Sequence, residues 1–152
     1  MSDENSSTRK IADHSLHHSI IITTRFSDTD AMQIVWHGNY LKYFEDGREA
    51  FGKQYNLGYL DVYEHGLAVP LVDLQVNFKR ILEYGDTAII ETTFINSPAA
   101  KLIFEYKITS AKHGYVACLG RTTQVFMNPH NKELFITMPP FMEEWKKKWN
   151  LS

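Results

Sequence analysis

Gly38-Asn39-Tyr40-Leu41-Lys42-Tyr43-Phe44-Glu45-Asp46-Gly47-Arg48-Glu49-Ala50-Phe51 is the stretch on which the fold turns. Tyr40, Phe44, Gly47 and Phe51 recur at the three- and four-residue spacing of one helix face, with Lys42, Asp46 and Glu49 opposite them. The spacing predicts an amphipathic helix from Tyr40 to near Tyr55, with Asn39 as its N-cap. Gly47 lowers helix propensity, so its place on the apolar stripe predicts a helix lying close against a sheet.

Working outward, the pattern changes period on both sides. Ile20 to Phe26 is β-branched and aromatic with apolar residues on both alternation phases, which predicts a first strand covered on both faces. Beyond the helix, Val72, Leu74, Val76 and Phe78 alternate with Asp73, Gln75, Asn77 and Lys79, the period of a half-buried strand. Thr87 to Ile95, Leu102 to Ser110 and Tyr115 to Met127 read as three more strands. Glu83-Tyr84-Gly85-Asp86, Asn96-Ser97-Pro98 and Lys112-His113-Gly114 separate them, and such short connections predict antiparallel neighbours. Phe141 to Trp149 reads as a surface helix. The order is strand, long helix, four antiparallel strands, hence an α+β domain whose sheet buries one helix. A single helix covers one sheet face only, and the late strands are apolar in both phases, so a homo-oligomer, dimer or tetramer, is expected.

The 152 residues suffice for one domain, read as 19–152 after a flexible tail at 1–18. Sixteen Lys and Arg against 18 Asp and Glu leave a net charge of −2, which carries no footprint for nucleic acid or an anionic membrane. Met1 to His18 lacks the apolar core of a secretory signal, and no run reaches the length of a membrane span. With a single cysteine, Cys118, the chain has no internal disulfide, and a cytoplasmic protein is expected. His14, His17 and His18 lie without a partner at ligand spacing, so no metal is expected. Cys118, in mid-strand without a base, reads as core. No Gly-x-Ser-x-Gly elbow is present.

Chemistry concentrates between the first strand and the helix, in Ser27-Asp28-Thr29-Asp30-Ala31-Met32-Gln33-Ile34-Val35-Trp36-His37-Gly38-Asn39-Tyr40. Asp28 and Asp30 stand two apart, which in an extended chain puts both carboxylates on one side and raises the pKa of at least one, making a base. His37 precedes the helix, whose leading amides can polarise a carbonyl oxygen. Asp-Thr-Asp can equally form a solvated turn with side-chain-to-backbone hydrogen bonds.

The string Asp28-x-Asp30-x-x-x-x-Val35-x-His37-x-Asn39-Tyr40 resembles the signature of the 4-hydroxybenzoyl-CoA thioesterase family of hotdog proteins, most of all the branch acting on short acyl-CoAs and the Tol-Pal-associated thioesterases. The resemblance runs from about Ile20 to Met127. It implies a hotdog fold, an antiparallel sheet wrapped around one long central helix, and hydrolysis of an acyl-CoA thioester without a further cofactor. By the same resemblance Asp30 is the catalytic carboxylate and His37 meets the thioester, with Val35, Trp36, Asn39 and Tyr40 around the substrate. Many members carry Pro-Ala-Gly or Ala-Gly-Gly after the second aspartate; Ala31-Met32-Gln33 stands here, and its larger side chains are expected to reshape the acyl tunnel. Lys79 and Arg80, with Lys101 and Arg121, are the cations expected near the coenzyme A nucleotide. A second hotdog class uses a helix glutamate, which makes Glu45 the competing carboxylate; beside Lys42 and Arg48 it reads as a solvated ion-pair member. Acyl-carrier-protein thioesterase or dehydratase chemistry, and non-catalytic acyl-CoA binding, are the alternative functions.

Overall fold

The computed structural model describes residues 16–151. Strand β1 spans His17–Thr23, helix α1 Asn39–Tyr55, the short helix α2 Tyr59–Glu64, β2 Leu71–Phe78, β3 Thr87–Ile95, β4 Lys101–Ser110, β5 Val116–Val125, and helix α3 Pro140–Lys148. The α+β order expected from the residue pattern is present, with α2 as an addition. The proposed tail lies outside the described residues up to Ser15. His17 and His18, expected in it, instead pair with Thr93 and Thr92 on β3.

All five strands form one antiparallel sheet in the order β1-β3-β4-β5-β2. β3, β4 and β5 are hairpin neighbours, as their short connections require. β2 is not β3's neighbour despite the short link between them; it crosses to the far side and pairs with β5, Val76 opposite Gly120. β1 is the other edge. Ile21 there is 72% exposed, so the expectation of two covered faces fails: half-buried and exposed positions alternate along the strand.

Helix α1 packs across β1, β3 and β4. Tyr43, Phe44, Gly47, Arg48 and Phe51 form its buried face. A Cβ on Gly47 would sit 2.5 Å from Thr92 Oγ1 and 2.9 Å from Ile90 Cγ2, so the glycine sets the helix-to-sheet spacing, as its position on the stripe predicts. The Phe44 ring stacks on Tyr106 at 4.7 Å and occupies the space over Gly120; Phe51 lies 5.1 Å from Phe104. Helix α3 is not merely superficial. Met142 and Trp145 are buried, and Trp145 donates its indole N–H to the Tyr55 carbonyl at 2.7 Å, closing the core at the C-terminus of α1.

The sheet face away from α1 is mixed: Lys107 pairs with Glu91 at 3.3 Å and Arg121 with Glu105 at 3.8 Å, beside the exposed Ile21 and Leu119. Further exposed apolar side chains stand on edge strand β2, at Leu71, Val72, Leu74 and Phe78.

Candidate active site

The segment from Asp28 to Tyr40 doubles back on itself before entering α1. Thr29 bridges to Val35, the Asp30 amide donates to the Ile34 carbonyl at 2.9 Å, and the Trp36 amide donates to the Asp28 carbonyl at 3.0 Å. A second seam ties this hairpin to the link before β3, through the Val35 amide on the Leu82 carbonyl and the Tyr84 amide on the Gln33 carbonyl.

The two aspartates have separate environments, contrary to the expectation of a facing pair. Asp28 ends a short 3₁₀ turn, Phe26–Asp28, and is buried. Its Oδ2 accepts from the Arg25 amide at 3.0 Å, Arg25 Nε at 3.2 Å and the Tyr43 hydroxyl at 3.1 Å. Burial pushes its pKa up, but the hydrogen bonds from Arg25 and Tyr43 outweigh that and hold it below the ordinary aspartate value, so it is not a raised-pKa base. With the folded pKa depressed, its contribution to stability is in full above the unfolded value of about 3.9 and fades as pH falls through the lower folded one. Asp30 begins the turn Asp30-Ala31-Met32-Gln33, closed by the Gln33 amide on the Asp30 carbonyl at 2.9 Å. Its Oδ1 accepts the Met32 amide at 2.9 Å, the side-chain-to-backbone bond that such a turn favours; among the described residues Oδ2 has no partner. Gln33 holds φ at 63°, a conformation that glycine adopts freely and other residues rarely do. Strain is therefore held beside Asp30. Met32 is exposed.

At the start of α1, Gly38 rather than Asn39 is the cap, and no side chain caps the helix. Asn39 is turned away: its Nδ2 donates to the Asp28 carbonyl at 2.8 Å. The Asn39 amide donates to the Trp36 carbonyl at 2.9 Å and the Tyr40 amide only weakly to that of His37, at 3.4 Å. Among the described residues the amides of His37 and Gly38 have no acceptor. The Trp36 ring lies against Gly38, where a Cβ would come within 2.1 Å of it. Trp36 stands 4.8 Å from the His37 ring; Phe78, at the end of β2, stands 6.5 Å from His37 and 5.3 Å from Tyr40. Trp36 and Phe78 are 50% and 53% exposed, so this aromatic cluster opens to solvent beside the free edge of β2. Burial pushes the Tyr40 phenol up to about 12, leaving it protonated at neutral pH. Val35 is buried beneath the cluster.

Asp30, Val35, Trp36, His37, Asn39 and Tyr40 are thus gathered on one hairpin and one helix turn, though no direct bond joins Asp30 to His37 among the described residues. Lys79 and Arg80 follow Phe78 directly, and the Arg80 guanidinium lies 5.4 Å from the Tyr115 ring. Lys101 does not join them. It is seven residues along β4 from Ile108, whose partner Cys118 faces Phe78, a separation of about 23 Å. Arg121 is on the sheet face away from α1, with Glu105. Glu45 is exposed and accepts the Tyr59 hydroxyl at 3.3 Å, on a cleft of about 350 Å³ between α1 and α2. Arg48 is not its ion-pair partner. The guanidinium is 1% exposed, donates to the Leu57 carbonyl at 2.8 Å and lies between Phe104 and Tyr59, because position 48 falls on the helix face of Phe44 and Phe51. Cys118 is buried, and burial raises its thiol to about 11. Arg25, Tyr43 and Phe78 also line this candidate site, although the sequence motif does not single them out. Spacing could have found Tyr43, three residues after Tyr40 and four before Gly47.

One long helix in the hollow of this strand order defines a hotdog fold. Residues 24–146 match the sequence profile of the Thioesterase-like superfamily, and the chain belongs to that family. It is 37% identical over 87 residues to YneP of Bacillus subtilis (strain 168), which bears the provisional name of acyl-CoA thioesterase; the match takes in 57% of this chain and 63% of YneP. Among solved structures it resembles a DHNA-CoA thioesterase from Staphylococcus aureus, with TM-score 0.77, 24% identity, and 88% of this chain and 91% of that one covered. A 1,4-dihydroxy-2-naphthoyl-CoA thioesterase from Synechocystis, Slr0204, superposes with TM-score 0.77 at 17% identity over 90% of this chain and 100% of its own. No helix of the described residues is long and apolar enough to cross a membrane.

Proposed function

We propose that this protein hydrolyses acyl-CoA thioesters to a free acid and coenzyme A, with a site of the 4-hydroxybenzoyl-CoA thioesterase type and Asp30 as its carboxylate. The observation that carries the reading is Asp30 itself: one carboxylate oxygen held by its own turn and, among the described residues, the other unengaged, on a hairpin bonded to the first turn of a helix whose leading amides at His37 and Gly38 have no acceptor among those residues. The names of the relatives, which pair coenzyme A with thioester cleavage, support the same class. Asp30 takes a proton from water as that water attacks the thioester carbonyl, or attacks it directly to give a mixed anhydride that water then opens. In either route the amides at His37 and Gly38 hold the developing oxyanion. The bond to sulfur then breaks, and a thiolate leaves without strong acid assistance. Trp36, His37, Tyr40 and Phe78 flank the acyl group, and Lys79 and Arg80 meet the phosphates of coenzyme A. The reaction uses the chain's own groups and water, and a cytoplasmic setting is part of the proposal. A thiol-release screen across aryl, short and long acyl-CoAs should find turnover with at least one. Binding of several with no thiol released would sink the hydrolase reading in favour of a binding protein, and turnover confined to carrier-protein thioesters would sink the coenzyme A assignment.

The working form is proposed to be a homo-oligomer, dimer or tetramer, assembled at the free edge of β2. Its unpaired backbone groups and the exposed Leu71, Val72, Leu74 and Phe78 form a template for another strand, and the aromatic cluster beside Asp30 opens onto that edge. Light scattering at micromolar concentration is expected to give at least twice the chain mass; a clean monomer would contradict the assembly.

A further inference from the structure

Among the described residues Asp30 has no hydrogen bond of its own outside the hairpin. Among those residues its carboxylate accepts a hydrogen bond only from the Met32 amide within the same turn, and its backbone bonds stay within Asp30 to Ile34. Its placement against the start of α1 is set elsewhere on the hairpin: Gln33 and Val35 tie it to Tyr84 and Leu82 in the link before β3, and the side-chain bonds from α1 itself converge on Asp28, two residues upstream.

Asp28 is gripped from the helix at two points. Asn39 Nδ2 donates to its carbonyl at 2.8 Å and the Tyr43 hydroxyl donates to its carboxylate at 3.1 Å. Asn39 and Tyr43 are four residues apart and therefore on one helix face. One contact fixes a distance; two contacts, one to the main chain and one to the side chain, also fix the rotation of the hairpin about that point. From the other side Arg25 holds the same carboxylate through its amide and guanidinium. The Arg25 guanidinium is largely exposed, whereas Tyr43 is 1% exposed. Water competes for the first and not for the second, so the phenol is the stiffer arm. Burial, reinforced by the neighbouring Asp28 charge, raises the Tyr43 phenol far above its usual range, so it remains a donor at every working pH.

We infer that Tyr43 is a positioning residue for the reaction, its hydroxyl acting through Asp28 to fix Asp30 against the helix start where the thioester carbonyl is held. The inference rests on Asp30 being the catalytic carboxylate. It requires no contact between Tyr43 and substrate, so loss of the hydroxyl changes the rate of the bound complex and not its formation. Displacement of a reacting group by about 1 Å can lower a rate by about 100-fold.

The test is a kinetic cycle on the full chain with the best acyl-CoA from the thiol-release screen, comparing Tyr43→Phe, Asp28→Asn, the double variant, Asp30→Asn, and Asp30→Asn with Tyr43→Phe. Tyr43→Phe removes one oxygen and leaves Asp28 its bonds from Arg25. Its kcat should fall about 10- to 100-fold with KM within about twofold of wild type and a melting midpoint nearly unchanged. The double variant should be no slower than the slower single variant, because both changes cut one linkage. In the Asp30→Asn background the residual rate should not respond to Tyr43→Phe. A folded Tyr43→Phe with wild-type kcat, a loss expressed in KM, or independent multiplication of the Tyr43 and Asp28 effects overturns the inference while an inactive Asp30→Asn leaves the catalytic assignment in place. Wild-type turnover by Asp30→Asn overturns that assignment and the positioning role with it. Should Tyr43→Phe fail to fold, Asp28→Asn decides: full kcat in that variant overturns the inference.

Discussion

Asp30→Asn is expected to lower kcat for the best thioester by about 10²–10⁴-fold, the range for losing one acid–base group, with the fold intact. The substitution is nearly isosteric, and the asparagine oxygen can still accept the Met32 amide, so the turn Asp30-Ala31-Met32-Gln33 keeps its side-chain bond. What disappears is the charge on the oxygen that no group among the described residues engages. Glu45→Gln is the matched comparison. Glu45 lies on the outer side of α1 against α2, bonded to Tyr59, and its neutral analogue should leave turnover close to wild type. Rapid hydrolysis by Asp30→Asn together with a folded but inactive Glu45→Gln would transfer the carboxylate role to the helix and leave the fold assignment untouched.

The largest effect on stability is expected at Phe44. The ring is fully buried, stacks on Tyr106 at a 17° interplanar angle, and fills the space above Gly120. Phe44→Ala should cost about 3–5 kcal/mol, since the transfer energy of the ring is lost and a rigid sheet cannot collapse fully into the void. For a domain of this size that is a drop of roughly 6–20 °C in melting midpoint at fixed protein concentration. The contact with Gly120 supplies an internal check. A Cβ there would come within 2.3 Å of Phe44 Cζ, so Gly120→Ala alone should be destabilising, but far less so once Phe44 is alanine and the space is free. Additive losses would show that the ring does not occupy that space.

Local pattern and tertiary structure made separable contributions here. Periodicity alone determined that a helix runs through Tyr40 to Phe51, that Gly47 faces a sheet at close range, and that β3, β4 and β5 follow one another as hairpins. These features depend on residues within a few positions of each other, where side-chain direction follows from backbone period. The motif Asp28-x-Asp30 through Tyr40 likewise marks the candidate site, because the groups that compose it lie on one continuous segment. Period assigns a side chain to a face, but not the element that covers that face. Hence β2 read as half-buried although it is an exposed edge, since pairing with β5 across the sheet is a choice between distant partners. Arg48 read as a surface charge, although the helix carries it under Phe104 and Tyr59. Asp28 and Asp30 read as one pair but stand as an anchor and a carboxylate apart, because only the folded chain brings the Tyr43 hydroxyl to the first and, among the described residues, leaves the side chain of the second bonded only within its own turn.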